Sequence, residues 1–121
     1  MRIKPLLIAS ILSASVLVSL PAGADIAGCG SSSTCLWDNN NFVTKVAERG
    51  HNQSPIVNLS QSANNKMESW ANNSNSYQSC GFDGTNGSGD EQEWQENRDD
   101  DNVGPLSSNE VSSWRTKFGC P

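Results

Sequence analysis

Two regimes of hydrophobic patterning divide this chain. From Leu6 to Leu20 apolar residues run with only small polar interruptions, whereas after Ala24 they come in short clusters. Phe42 to Val46 follows Asn39-Asn40-Asn41, and Ile56 to Leu59 follows Pro55. No window sustains a 3.6-residue period. Runs of four to six β-favouring residues, with Asn, Gly and Ser between them, predict an all-β sandwich or barrel. From Asp83 to Asp101 the pattern loosens into eight acids and one Arg, with Gly84, Gly87 and Gly89 near its start. That stretch is expected to be mostly loop, with a strand around Glu91 to Gln95.

The first regime reads as a leader. Arg2 and Lys4 precede the apolar run, and Ala22-Gly23-Ala24 places small residues where a signal peptidase cuts, so cleavage is expected before Asp25. The run is about 15 residues long, short of the roughly 20 that span a bilayer. Residues 1–24 are thus expected to be a signal peptide, which leaves 121 − 24 = 97 residues expected to form one secreted, extracellular domain, free of the membrane after cleavage. Its 8 − 2 = 6 basic and 13 acidic residues give a charge of −7. The resulting field repels phosphate, which argues against a nucleic-acid or anionic-membrane partner.

Only 27 of those 97 residues are hydrophobic, and 13 of them are Leu, Ile, Val or Phe. So thin a core needs other support, which four Trp and four Cys supply through large buried rings and cross-links. In an exported chain Cys29, Cys35, Cys80 and Cys120 read as a disulfide framework. Of three pairings, Cys29–Cys35 with Cys80–Cys120 ranks first, because the first two bracket a short Gly-Ser-Ser-Ser-Thr loop that closes locally. Zinc is disfavoured: His51 is the single histidine and no Cys-x-x-Cys occurs.

The chain also repeats itself. Cys35-Leu36-Trp37 opens a segment ending in Asn64-Asn65-Lys66-Met67-Glu68-Ser69-Trp70, and Cys80-Gly81-Phe82 opens one ending in Ser108-Asn109-Glu110-Val111-Ser112-Ser113-Trp114. The offsets are 45 residues at the start and 44 at the end. Two units of nearly equal length, residues 29–73 and 79–118, are implied.

Each unit opens on an aromatic and closes on an Asn/Asp-rich turn followed by Ser and a large apolar residue. This resembles the paired Greek-key motifs of βγ-crystallins, and with its Cys-x5-Cys entrance the chain is similar to peptidase inhibitor family I36. Trp37 and Phe42 fill both aromatic positions of the first opening, but Thr44 stands where the family has Gly; Phe82 and Gly89 fit the second, with Gly87 replacing its second aromatic. The resemblance implies a βγ-crystallin-like sandwich of two Greek keys. It also implies calcium ligands in the closing turns, here Asn64, Asn65 and Glu68 in one and Asn109 and Ser112 in the other. Calcium takes six to eight hard oxygens, which such turns provide. The competing reading is that the asparagines serve turn backbone and that Ser69 and Ser113 bridge hairpins.

Other candidates weigh less. Asp83 to Ser88 starts like an EF-hand loop, but Thr85 and Gly87 occupy ligand positions and Trp94 stands at the twelfth, so a solvated acidic face is preferred. Trp37, Trp70 and Trp114 are assigned to packing, while Trp94 has no counterpart and reads either as an exposed partner anchor or as an inward strand residue. His51, between Gly50 and Asn52, is expected in an exposed loop with no catalytic partner, so the protein is not read as an enzyme.

The resemblance therefore implies a monomeric secreted inhibitor of an extracellular peptidase, acting through a rigid disulfide-tied loop. Candidate loop residues are Ser31, Ser32 and Ser33 between Cys29 and Cys35, and Asp83 and Thr85 beside Cys80. The alternative is a calcium-binding extracellular structural or stress protein, whose thin core gains folding free energy from the ion.

Overall fold

The computed structural model describes residues 28–121, so the expected leader and its cleavage site lie outside the described residues. Eight strands follow one another: β1 (Ser33–Asn39), β2 (Val43–Gly50), β3 (Val57–Asn58), β4 (Ser69–Asn72), β5 (Ser79–Phe82), β6 (Glu91–Trp94), β7 (Arg98–Asp100) and β8 (Ser113–Arg115). Single 3-10 turns at Asn40–Phe42 and Thr85–Gly87 are the only helical elements among the described residues. The chain is all-β, as its patterning predicts.

Two antiparallel four-stranded sheets form, in the orders β2-β1-β4-β7 and β3-β8-β5-β6. Neither sheet belongs to one repeat. β7 of the second half closes the first sheet against β4, and β3 of the first half closes the second against β8. Patterning marks strands at Phe42 to Val46, Ile56 to Leu59 and around Glu91 to Gln95, and this exchange explains a strand in the stretch it marks as loop. Arg98–Asp100 carries no β-favouring residue, and expecting loop there is corrected: the ladder to β4 holds it, pairing Trp70 with Asp100 and Asn72 with Arg98. β2 begins at Val43 and runs on to Gly50, longer than the expected strand, while the expected Ile56–Leu59 strand shortens to two residues.

The repeat is visible in the backbone. Asn65 N–H donates to Val111 O at 3.0 Å and Asn109 N–H to Met67 O at 2.8 Å. Likewise Glu68 N–H donates to Trp37 O and Ser112 N–H to Phe82 O, both at 2.8 Å. Left-handed backbone recurs at matched places: Asn41 and Asn86, Phe42 and Gly87, Thr44 and Gly89. Thr44 thus makes the bend the family's glycine makes, at φ +60°.

Alternation along β1 splits the interior into two clusters. Leu36 points into the sandwich with Met67, Trp94, Val111 and Trp114. Cys35 and Trp37 point the other way, onto Cys29, Ala71 and Phe42, with the Phe42 ring edge-on to Trp37 at 5.2 Å. The indoles are consequently not equivalent. Trp37 aligns with Phe82 and leaves the central core, while Trp70 and Trp114 flank Trp94 at 5.8 and 6.4 Å.

Trp94 is 1% exposed, which excludes the partner-anchor reading. Its space comes from Gly81, the residue that stands where the first half has Leu36. A Cβ on Gly81 would lie 2.5 Å from the Trp94 ring. One large ring from β6 thereby does the filling that Leu36 does in the other half.

The four cysteines pair as Cys29–Cys35 and Cys80–Cys120. The first staples the entrance to β1. The second ties the C-terminal turn to β5.

Candidate functional site

Each half reaches its last strand through a tight turn. Ala63 and Asn64 N–H groups donate to Ser60 O, and at the matching place Ser107 and Ser108 donate to Gly104 O. The next residue takes left-handed backbone, Asn65 at φ +56° and Asn109 at φ +59°. Asparagine tolerates that region better than most side chains.

These turns meet across the two halves. Ser112 Oγ donates to Asn65 Oδ1 at 3.0 Å, and Asn109 Nδ2 donates to Glu68 Oε1 at 3.3 Å. Four of the five candidate ligands therefore fall into two reciprocal places, each built from both repeats: Asn65 with Ser112, and Glu68 with Asn109. Asn64 precedes the first, partly buried. Glu68 is partly buried and Ser112 is 6% exposed. Sequence reasoning grouped these residues by turn. The grouping across turns was signalled only by the nearly equal offsets of the repeats.

The donor chemistry suits calcium better at one place than at the other. Side-chain oxygens alone, from an amide and a hydroxyl, face each other at Asn65 and Ser112. The Glu68 carboxylate adds a formal charge at the second place, and the Asn109 amide can present its oxygen by a half-turn. The residues fit a hard cation. Softer metals find less: Cys29 and Cys35 lie near Glu48, and Cys80 and Cys120 near Glu91, but all four sulfurs are in disulfides and offer no thiolate.

Ser69 and Ser113 do hairpin work instead. Ser69 Oγ donates to Asn39 O at 2.7 Å and accepts from Phe42 N–H. Ser113 Oγ donates to Gly84 O at 2.6 Å and accepts from Gly87 N–H. Each serine clips the folded hairpin of its own half onto the sheet.

The candidate inhibitory loops are smaller than their sequence spans. Ser31 and Ser32 are an exposed two-residue turn, whereas Ser33 is already the first residue of β1, opposite Gly50. The loop base is held by the disulfide and by Asn73 Nδ2, which donates to Cys29 O at 3.1 Å. Thr85 is exposed in its 3-10 turn, and Ser88 Oγ donates to its carbonyl at 2.7 Å. Asp83 is drawn in beneath that turn. Its N–H donates to Asp90 O, and its Oδ1 is out of water without a partner. Burial first, then a hydrogen bond and charge from Glu110 and the charge of Asp90, push its carboxyl up to about 6.

The acidic segment is a solvated face at Asp90, Glu91, Glu93, Asp99 and Asp101, all exposed, but not at Asp83, Glu96 or Asp100, which are partly buried. His51 is corrected too. It is partly buried, with Nε2 out of water and unpartnered and the ring 6.4 Å from Tyr77. Burial holds its pKa below the ordinary value.

No family model and no curated protein matches the sequence. Solved structures do match. A domain solved in work on the evolution of the eye-lens βγ-crystallin fold superposes with a TM-score of 0.62 at 13% identity, covering 78% of this chain and 95% of that one. The N-terminal domain of Protein S gives 0.54 at 22% identity, with 69% and 92% covered. A βγ-crystallin domain from Flavobacterium johnsoniae gives 0.53 at 18%, with 68% and 90% covered. The chain has the βγ-crystallin fold.

Proposed function

We propose that this is a secreted βγ-crystallin-like structural protein that binds calcium at the two places where its closing turns meet. The observation that carries the reading is the reciprocal pairing of Asn65 with Ser112 and of Glu68 with Asn109, oxygen-rich groups drawn from opposite halves. An ion held there ties the two repeats together, and a protein with so thin a core gains from such a tie. Binding to the folded state alone adds about 2.7 kcal/mol at one hundred times Kd. Disulfides agree with an oxidising, extracellular setting.

Thermal unfolding with and without calcium tests this. Millimolar calcium raises Tm by several degrees, chelation reverses the rise, and Glu68→Gln removes most of it. An unchanged Tm would sink the proposal.

Inhibition of an extracellular peptidase is the second reading, favoured by the exposed Ser31-Ser32 tip on its disulfide-closed base. It ranks behind because a protease cleft takes an extended run of chain, and only two residues stand free here. Near-stoichiometric inhibition of a thermolysin-like or subtilisin-like enzyme, lost in a Ser31→Pro variant, would reverse the order.

A further inference from the structure

The segment before β5, the turn between β6 and β7 and the C-terminal turn flank an open cleft of about 330 Å³, lined by Ser76, Tyr77, Gln78, Glu96, Lys117 and Phe118. Ligand sites span roughly 300–1,000 Å³, so this cleft suits a small molecule or one unit of a chain. It shares no residue with the paired closing turns.

Phe118 is its unusual member. Its φ of +71° is a region that bulky side chains avoid, yet the residue is 65% exposed, so core burial does not offset the strain. The turn is clamped from outside the ring. Gly119 N–H donates to Gln78 O at 3.1 Å, Arg115 Nε donates to Gly119 O at 2.7 Å, and Cys120 is bonded to Cys80. Gly119 is itself left-handed and so close that a Cβ there would lie 2.8 Å from Gln78 Oε1. The backbone that carries an exposed aromatic ring is thus fixed beside a cleft, and backbone strain of this kind gathers at binding sites.

The remaining lining narrows the ligand. Lys117 Nζ lies 4.9 Å from the Phe118 centroid and 6.0 Å from that of Tyr77, so an incoming cation meets an ammonium already over both rings. Glu96 repels an anion, and its charge balances that of Lys117. A wholly apolar ligand would strip water from Gln78 and Glu96 without replacing their hydrogen bonds, and Glu96 Oε2 already lacks a partner. A neutral ring with C–H faces and hydroxyl edges meets every requirement.

The geometry points to a saccharide-binding cleft, in which a pyranose displaces the Lys117 ammonium from the Phe118 ring, stacks there and exchanges hydrogen bonds with Gln78, Glu96 and Lys117. The clamped backbone of the turn lowers the ordering cost of binding.

Amide NMR titration of the disulfide-bonded protein with chitotetraose, cellotetraose and maltotetraose tests it, with tetramethylammonium as the cation probe. At least one oligosaccharide is expected to shift the amides of Tyr77, Gln78, Lys117 and Phe118. Phe118→Gly removes the ring and relieves the backbone, so it stays folded and should weaken that binding about tenfold, the scale of one lost aromatic contact. Silence of these amides to about 10 mM oligosaccharide, a free energy too weak for a built site, overturns the inference. Shifts confined to another face, response to tetramethylammonium alone, or undiminished binding by Phe118→Gly overturn it equally.

Discussion

The hydroxyls of Thr34 and Ser79, 45 residues apart, lie 2.7 Å from each other at the meeting of the two halves, and both residues are wholly buried. They occupy equivalent places in the repeat, on β1 and β5. The bond therefore joins the two sheets where like positions of each half come together.

Replacing one partner strands the other. Thr34→Val leaves the Ser79 hydroxyl buried and unpaired and is expected to cost about 1–3 kcal/mol. Thr34→Val with Ser79→Ala removes both groups and should cost less than the sum of the single changes. Urea unfolding of the four proteins in a double-mutant cycle reads this coupling.

Thr44 and Gly89 make the same left-handed bend with different tolerance, at φ +60° and +80°. Thr44→Gly relieves a side chain that is exposed and is expected to stabilise by about 1 kcal/mol. Gly89→Thr is expected to destabilise by more, since a Cβ there would also sit 3.0 Å from Gly84 N. Thermal unfolding should show shifts of opposite sign.

The two disulfides differ in the length of chain they close, 6 residues for Cys29–Cys35 and 40 for Cys80–Cys120. By loop entropy, removing the longer one costs about 4 kcal/mol and the shorter about 2 kcal/mol. Double Cys→Ser variants of each pair, compared by denaturant midpoint, check the order.

Trp94 fills the core between two other indoles, but its Nε1 has no hydrogen-bond partner. Trp94→Ala should cost about 3–5 kcal/mol. Trp94→Phe should cost far less, because it also removes a buried donor that nothing satisfies. Denaturant unfolding followed by circular dichroism separates the two.

Asp83 sets a pH dependence with a definite sign. Its folded pKa of about 6 lies above the ordinary 3.8, so its protonation favours the folded state. That contribution is complete below the ordinary pKa and disappears as pH rises through about 6. Asp83→Asn should therefore be more stable than the parent at pH 8, with the gap closing toward pH 3. Tm measured across that range decides it, and a gap widening in acid would reverse the sign.

Much of the architecture was legible because it is local or repeated. Short β-favouring runs between turn formers predict strands, and nearly equal offsets between two cysteine-led segments predict two like halves. The loop bracketed by Cys29 and Cys35 predicts the pairing found. β7 was illegible for the opposite reason: Arg98, Asp99 and Asp100 become a strand through the free edge of β4, which belongs to the other half. Trp94 was ambiguous because its alternation with Glu93 and Gln95 fits either orientation, and only the absence of a side chain at Gly81, across the ladder, opens the space it fills.

The candidate site divides along the same line. The linear order of residues determined which turns carry oxygen-bearing side chains and where the backbone must turn left-handed, since both depend on neighbours in the chain. Tertiary structure alone decided that Asn65 meets Ser112 and that Glu68 meets Asn109. Those meetings join segments far apart in sequence, and local pattern holds no record of them because they arise when two halves exchange strands and bury their faces against each other.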